Sequence, residues 1–161
     1  FVRAPQLILL LISLKRSSFS TKGKIFFFDS SDEQSLIIDT LTTMLNDKLI
    51  LTPGEFALWG NPIESKEYFE YILSYSPYNN LGKKNYPPML VTSSLFDNRV
   101  LYSEPVKYIA RLRDLKNDDN LQLLKCKTKP SSHGGPSGRD NAITELAEEY
   151  SFILKTAKIF D

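Results

Sequence analysis

The sequence predicts an α/β fold in which parallel strands are joined by crossover helices. Three observations carry this. A strand pattern, a helical pattern and a second strand pattern follow one another between residues 89 and 126. That spacing argues for a parallel pair joined by a right-handed crossover. A last helical stripe follows a Gly-rich loop, and the chain, at 161 residues and 42% hydrophobic, is long enough for one domain with a core.

The elements follow in order. Residues 1–28 hold Arg3, Lys15, Arg16, Lys22 and Lys24 and no acidic residue. The run Leu7-Ile8-Leu9-Leu10-Leu11-Ile12 is too short for a bilayer span, which needs ~20 apolar residues. It fits a signal-peptide core or transit segment, and equally a buried strand or helix. The chain starts with Phe1 and not Met, which weighs against targeting. Residues 1–35 stay unassigned; residues 36–161 form the regular part. Ile25-Phe26-Phe27-Phe28 fits a short buried strand, and Asp29-Ser30-Ser31-Asp32 a turn.

Leu36-Ile37-Ile38 reads as the end of a buried strand. Leu41, Met44 and Leu45 make a short helical stripe. The stretch 49–54, closing on Pro53-Gly54, reads as the start of a loop. Residues 64–75 read as a helix with Tyr68, Tyr71, Ile72 and Tyr75 on one face. The stretch 76–80 stops it. Residues 89–94 read as a strand buried on both faces. Residues 104–115 read as a helix with a Val106, Ile109, Ala110, Leu112 stripe. Pro105 sits in its first turn, where a missing N–H does no harm. Residues 121–126 give the second strand. Residues 141–157 give the last helix, with Ile143, Leu146, Ala147, Tyr150, Ile153 and Leu154 as its stripe.

Composition excludes several function classes. With 20 basic and 19 acidic residues, the net charge of +1 excludes a strongly basic nucleic-acid binder. One cysteine excludes an intrachain disulfide framework and a Cys-rich zinc site. One histidine excludes a multi-histidine site, so any imidazole chemistry must use His133. No Gly-rich phosphate loop follows a strand, which leaves little for a nucleotide-binding reading. No metal or cofactor site is expected.

Chemistry is expected beyond the carboxyl ends of the strands. Asp97 follows strand 89–94, and His133 lies in the loop after strand 121–126. An acid and then a base, on the loops after successive parallel strands, is the order that ends one kind of Ser–Asp–His triad. There the acid orients the imidazole, which takes a proton from a serine and later returns it to the leaving group. Against this stand two plainer readings: an Asp in a turn caps backbone amides, and a His in a Gly/Ser loop sits idle in solvent. Cys126 reads as a small apolar strand residue. Ser137 lacks the G-x-S-x-G spacing of a nucleophile.

Several strings carry a family resemblance. They are Asp39-Thr-Leu-Thr-Thr-Met-Leu45, Leu51-Thr-Pro-Gly-Glu-Phe-Ala-Leu-Trp-Gly-Asn-Pro62 and Tyr71-Ile-Leu-Ser-Tyr-Ser-Pro-Tyr78. Further on are Tyr86-Pro-Pro-Met-Leu-Val-Thr92, Phe96-Asp-Asn-Arg-Val100 and Glu104-Pro-Val-Lys-Tyr-Ile-Ala-Arg-Leu-Arg-Asp-Leu-Lys116. Ser132-His-Gly-Gly-Pro-Ser-Gly-Arg139 and Glu148-Glu-Tyr150 complete them. In this order they resemble the C-terminal part of the oligopeptidase B branch of the prolyl oligopeptidase family of serine peptidases.

The resemblance implies the C-terminal portion, incomplete, of an α/β-hydrolase catalytic domain, one normally preceded by a β-propeller. It implies cleavage of short peptides after Lys or Arg, with no cofactor. By it, Asp97 matches the triad acid and His133 the base. Arg99 matches an arginine lining the substrate cleft. Glu55 matches one of two glutamates that hold the basic substrate side chain. The second would fall at Ala57, which puts strict Lys/Arg preference in doubt. Trp59 packs its loop or meets substrate.

The family serine sits on a G-x-S-x-G elbow upstream of Asp39, and no such string occurs in these 161 residues. The expectation is a fragment that is inert alone. It would need the missing part of the domain and the propeller for activity. The alternative is a catalytically inactive peptide-binding or relic module. No nucleic-acid partner and no transmembrane span are expected. Likeness to cytosolic peptidases favours the cytoplasm, while the basic, acid-poor start leaves secretion or an organelle open.

Overall fold

A computed structural model describes residues 26–29, 38–129 and 139–157. Its centre is a three-stranded sheet of β1 (Phe26–Asp29), β2 (Met89–Ser94) and β3 (Gln122–Lys127), in the order β1-β2-β3. All pairs are parallel, with Phe26 opposite Met89 and Met89 opposite Gln122. β2 is buried along its whole length, as its unbroken apolar and small-residue run requires. β3 begins one residue later than expected. Only Gln122 is fully buried there, since β3 ends the sheet among the described residues.

The described residues form five helices: α1 (Thr40–Met44), α2 (Thr52–Trp59), α3 (Lys66–Tyr75), α4 (Ser103–Leu115) and α5 (Arg139–Thr156). Asp39 caps α1 by accepting the Thr42 amide, and Ser65 caps α3 by accepting the Tyr68 amide. Leu41 and Met44 are buried as the stripe predicts, whereas Leu45 is 42% exposed. Ile38 is buried in a turn and not in a strand, its carbonyl accepting the Tyr78 amide. Leu36 and Ile37 lie outside the described residues.

In the stretch 49–54, read as the start of a loop, residues 49–51 are non-helical as expected, but Thr52, Pro53 and Gly54 form the first turn of α2. Pro53 occupies the first helical positions, where it needs no amide partner. The expected tyrosine face of α3 is a surface: Ile72 is buried, but Tyr68 and Tyr71 are 48% and 63% exposed. Tyr71 and Tyr75 meet edge to face.

The stripe of α4 is rotated from expectation. Pro105, Tyr108, Ile109 and Leu112 face inward, while Val106 and Ala110 face solvent. On α5 the inward anchor is Phe152, which the expected stripe omitted; Ile143 is 53% exposed. Lys127 pairs with Glu145 at 2.6 Å, and Lys125 with Glu148, so ion pairs tie α5 to β3.

The core lies between α4 and one face of the sheet. Ile38, Leu81, Tyr86, Met89, Val91, Tyr108, Ile109 and Leu112 form it. Burying side chains such as Ile109 and Leu112 stabilises by about 1.5–3 kcal/mol each. Leu41, Met44 and Ile72 form a second cluster that joins α1 to α3. Among the described residues, no helix is long and apolar enough to cross a membrane.

Candidate functional site

The carboxyl ends of β2 and β3 are bound together by the Leu95 amide, which donates to the Lys127 carbonyl at 2.8 Å. From there β2 turns into the loop 95–102. The Asp97 amide donates to the Ser94 carbonyl at 3.1 Å and closes the turn. Asp97 is 5% exposed. Its Oδ1 accepts the backbone amides of Arg99 at 2.8 Å and Val100 at 3.0 Å. This is the capping role that a turn Asp usually plays. Both amides meet the same oxygen, which ties the side chain to its own turn. Val100, itself buried, seats the far side of the turn in the interior.

His133 and Ser137 lie outside the described residues. They belong to the connection from β3 to α5, which leaves the same end of the sheet as the Asp97 loop. Arg99 is exposed. Its backbone serves the Asp97 turn, and among the described residues its guanidinium makes no ion pair.

Glu55 stands in the first turn of α2, half-buried. One turn on, the Trp59 indole Nε1 donates to its Oε2 at 2.7 Å. Trp59 is 43% exposed, and Ala57 lies exposed on the same helix. The helix stops at Gly60, whose φ of 84° is open to glycine alone at low cost. The Tyr68 ring lies where a side chain would be: an ideal Cβ there would meet its Cδ1 at 2.2 Å.

A buried polar cluster beside this site was not singled out from the sequence. Glu104, in the first turn of α4, is 3% exposed. Its Oε2 accepts the Asp39 amide at 2.9 Å and its Oε1 the Thr43 hydroxyl at 2.5 Å. Asp39 is fully buried and pairs with Lys107. Burial pushes the Glu104 carboxyl above its ordinary range. The Thr43 and Asp39 bonds oppose the shift, the Asp39 charge adds to it and the Lys107 charge opposes it. The Lys107 ammonium and the Arg111 guanidinium both stand over the Tyr78 ring, at 5.1 and 4.9 Å. Asp39, immediately before the helix and two residues before its first apolar residue Leu41, is a recognisable cap signal; nothing local marks Glu104.

Cys126 is free and half-buried in β3, opposite Ser93. No three His, Cys, Asp or Glu side chains among the described residues cluster closely enough to hold a metal ion.

With the site laid out, comparison with known proteins gives the family. The sequence profile of the prolyl oligopeptidase family matches residues 27–159. This chain belongs to the prolyl oligopeptidase family. The match begins inside the apolar run that forms β1. Relatives include dipeptidyl aminopeptidase BI of Pseudoxanthomonas mexicana, 46% identical over 73% of this chain and 16% of its own length. Protease 2 of Moraxella lacunata is 45% identical over 73% of this chain and 17% of its own.

Among solved structures, oligopeptidase B from Leishmania major aligns with a TM-score of 0.72 and 38% identity, over 76% of this chain and 17% of that one. Oligopeptidase B from Trypanosoma brucei, with covalently bound antipain, gives 0.69 and 40%, over 73% of this chain and 16% of that one. The fold is therefore that of the α/β-hydrolase catalytic domain, with parallel strands and crossover helices. The chain spans about one sixth of the length of these relatives.

Proposed function

We propose that this chain carries the acid and the base of a serine peptidase that cleaves short peptides on the carboxyl side of basic residues. The observation that carries the reading is Asp97. Its buried carboxylate is held by two amides at the carboxyl end of β2, the strand paired in parallel with β3, which precedes His133 in sequence. Asp97 orients the His133 imidazole and stabilises its protonated form. His133 removes the serine hydroxyl proton as the oxygen attacks the scissile carbonyl carbon. The C–N bond then breaks, and the imidazolium gives its proton to the departing amine. Water attacks the acyl ester with His133 again as base, freeing the acid and restoring the serine.

The serine itself, the oxyanion donors and the propeller are proposed to come from sequence beyond these 161 residues, since no G-x-S-x-G occurs within them. Glu55 receives the basic side chain through a charge-assisted bond, and Arg99 grips a substrate carbonyl or carboxylate. With Ala57 in place of a second carboxylate, the preference for Lys and Arg is relaxed.

A fluorophosphonate probe tests this. The expected result is no labelling of the 161-residue chain and fast labelling of a longer product with the elbow in frame. In that product D97N slows labelling by about 10⁴-fold. Fast labelling of the short chain alone overturns the assignment of the nucleophile. Ala57 and the missing elbow favour a second reading, an inactive peptide-binding module. Binding of Lys/Arg peptides by a longer product that labels no faster than its D97N variant selects it.

A further inference from the structure

The loop that bears Asp97 ends where α4 begins, and α4 starts without a side-chain cap of its own. Glu104, in its first turn, does not fold back onto the helix. Its carboxylate crosses to α1 and accepts two donors there, the Asp39 amide and the Thr43 hydroxyl. Lys107, one turn further along α4, returns the contact by pairing with Asp39. Thr43 passes the connection on. Its carbonyl accepts the Thr52 hydroxyl at 3.1 Å. Thr52 is 1% exposed and is the first residue of α2, whose first turn holds Glu55. A run of hydrogen bonds from Glu104 through Thr43 to Thr52 therefore joins the Asp97 loop to the helix that carries Glu55.

We propose that Glu104 is a positioning residue that sets the Asp97 loop and the Glu55 helix α2 relative to one another. This rests on the reading of Asp97 and Glu55 given above. A carboxylate suits the task. It offers two acceptor oxygens in one rigid plane to two donors fixed on α1. A buried acid is costly unless both oxygens are satisfied, and here both are. An apolar side chain of the same volume would fill the space without fixing the angle between α4 and α1. Glutamine would turn its amide N–H₂ toward one of the two donors and lose that bond.

The test uses the 161-residue chain and two readouts. His133 is the single histidine, so its ring protons give one unambiguous pH titration by NMR. Amide hydrogen exchange reports the Asp97 turn through Arg99 and Val100, and α2 through Glu55. Wild type, D97N, E104Q and T43V are compared. The expected result is that D97N moves the His133 midpoint and E104Q moves it part of the way in the same direction. In E104Q the amides of Arg99, Val100 and Glu55 exchange about tenfold faster while those of β2 keep their protection. A role confined to holding α1 in place would leave the His133 midpoint unmoved.

If D97N shifts His133 and E104Q does not, Glu104 is not a positioning residue and the proposal falls alone. If D97N leaves His133 unmoved, the acid–base pairing falls and takes the proposal with it. Should E104Q loosen β2 as well, T43V decides, since it removes one hydroxyl and leaves the carbonyl. Faster exchange at Glu55 in T43V supports the connection, and unchanged exchange there overturns it.

Discussion

At Asp97 one carboxylate oxygen satisfies two backbone amides, and one of them belongs to buried Val100. Truncation to alanine would strand both. The expected loss is about 2 kcal/mol, since each orphaned buried amide costs about 1–3 kcal/mol. Asparagine keeps an acceptor at Oδ1, so D97N is expected to cost less than about 1 kcal/mol. Urea denaturation of the two variants checks the difference; equal losses would mean that the turn does not depend on this oxygen. D97N would therefore test the proposed role of Asp97 in chemistry apart from its role in the turn. Asp97 was legible in the sequence because it follows a strand that is easily read. Glu104 was not. Its two partners lie 65 and 61 positions away, and only the folded chain brings them within bonding distance.

Helix α2 shows how two breakers can sit inside a helix. Pro53 falls where the helix has no amide bond to lose, and Gly54 is tolerated. The two glycines of this region differ sharply. Nothing lies within 4 Å of a Cβ built on Gly54, so G54A is expected to stabilise by about 0.5–1 kcal/mol through helix propensity. Gly60 has φ of 84° and the Tyr68 ring against it, so G60A is expected to cost about 2 kcal/mol or more. Thermal melts of the pair should move in opposite directions, and a neutral G60A would show that Tyr68 swings away freely. The stripes of α3 and α4 mislead for a related reason. Apolar residues at helical spacing name a face, but the neighbour decides how much of it is covered. α4 turns Tyr108, Ile109 and Leu112 to the sheet, while α3 meets α1 through Ile72 alone among its buried residues.

For the molecule as a whole, the parallel sheet and its crossover were readable. The pattern from 89 to 126 admits few other arrangements. The depth of β3 was not readable, because burial there depends on what covers the outer edge. The Glu104 cluster also reaches the whole-molecule scale through pH. Burial raises this carboxyl, with Asp39 and Lys107 the charged groups facing it. The folded chain therefore holds that proton more tightly than the unfolded chain does. Its contribution to stability is fully present below the unfolded carboxylate range and is lost as pH rises through the raised folded value. Melting temperature measured against pH should show this fall in wild type relative to E104Q, whose amide does not titrate. Parallel profiles would contradict it. One further consequence comes from α2. Trp59 is the single tryptophan, and its indole proton is bonded to Glu55. On the proposed reading of Glu55, a ligand cation there would meet a carboxylate with one oxygen already bonded to the indole and a second acceptor oxygen beside it. Contact at Glu55 would move one isolated indole resonance, so the single tryptophan would serve as an unlabelled gauge of the proposed encounter.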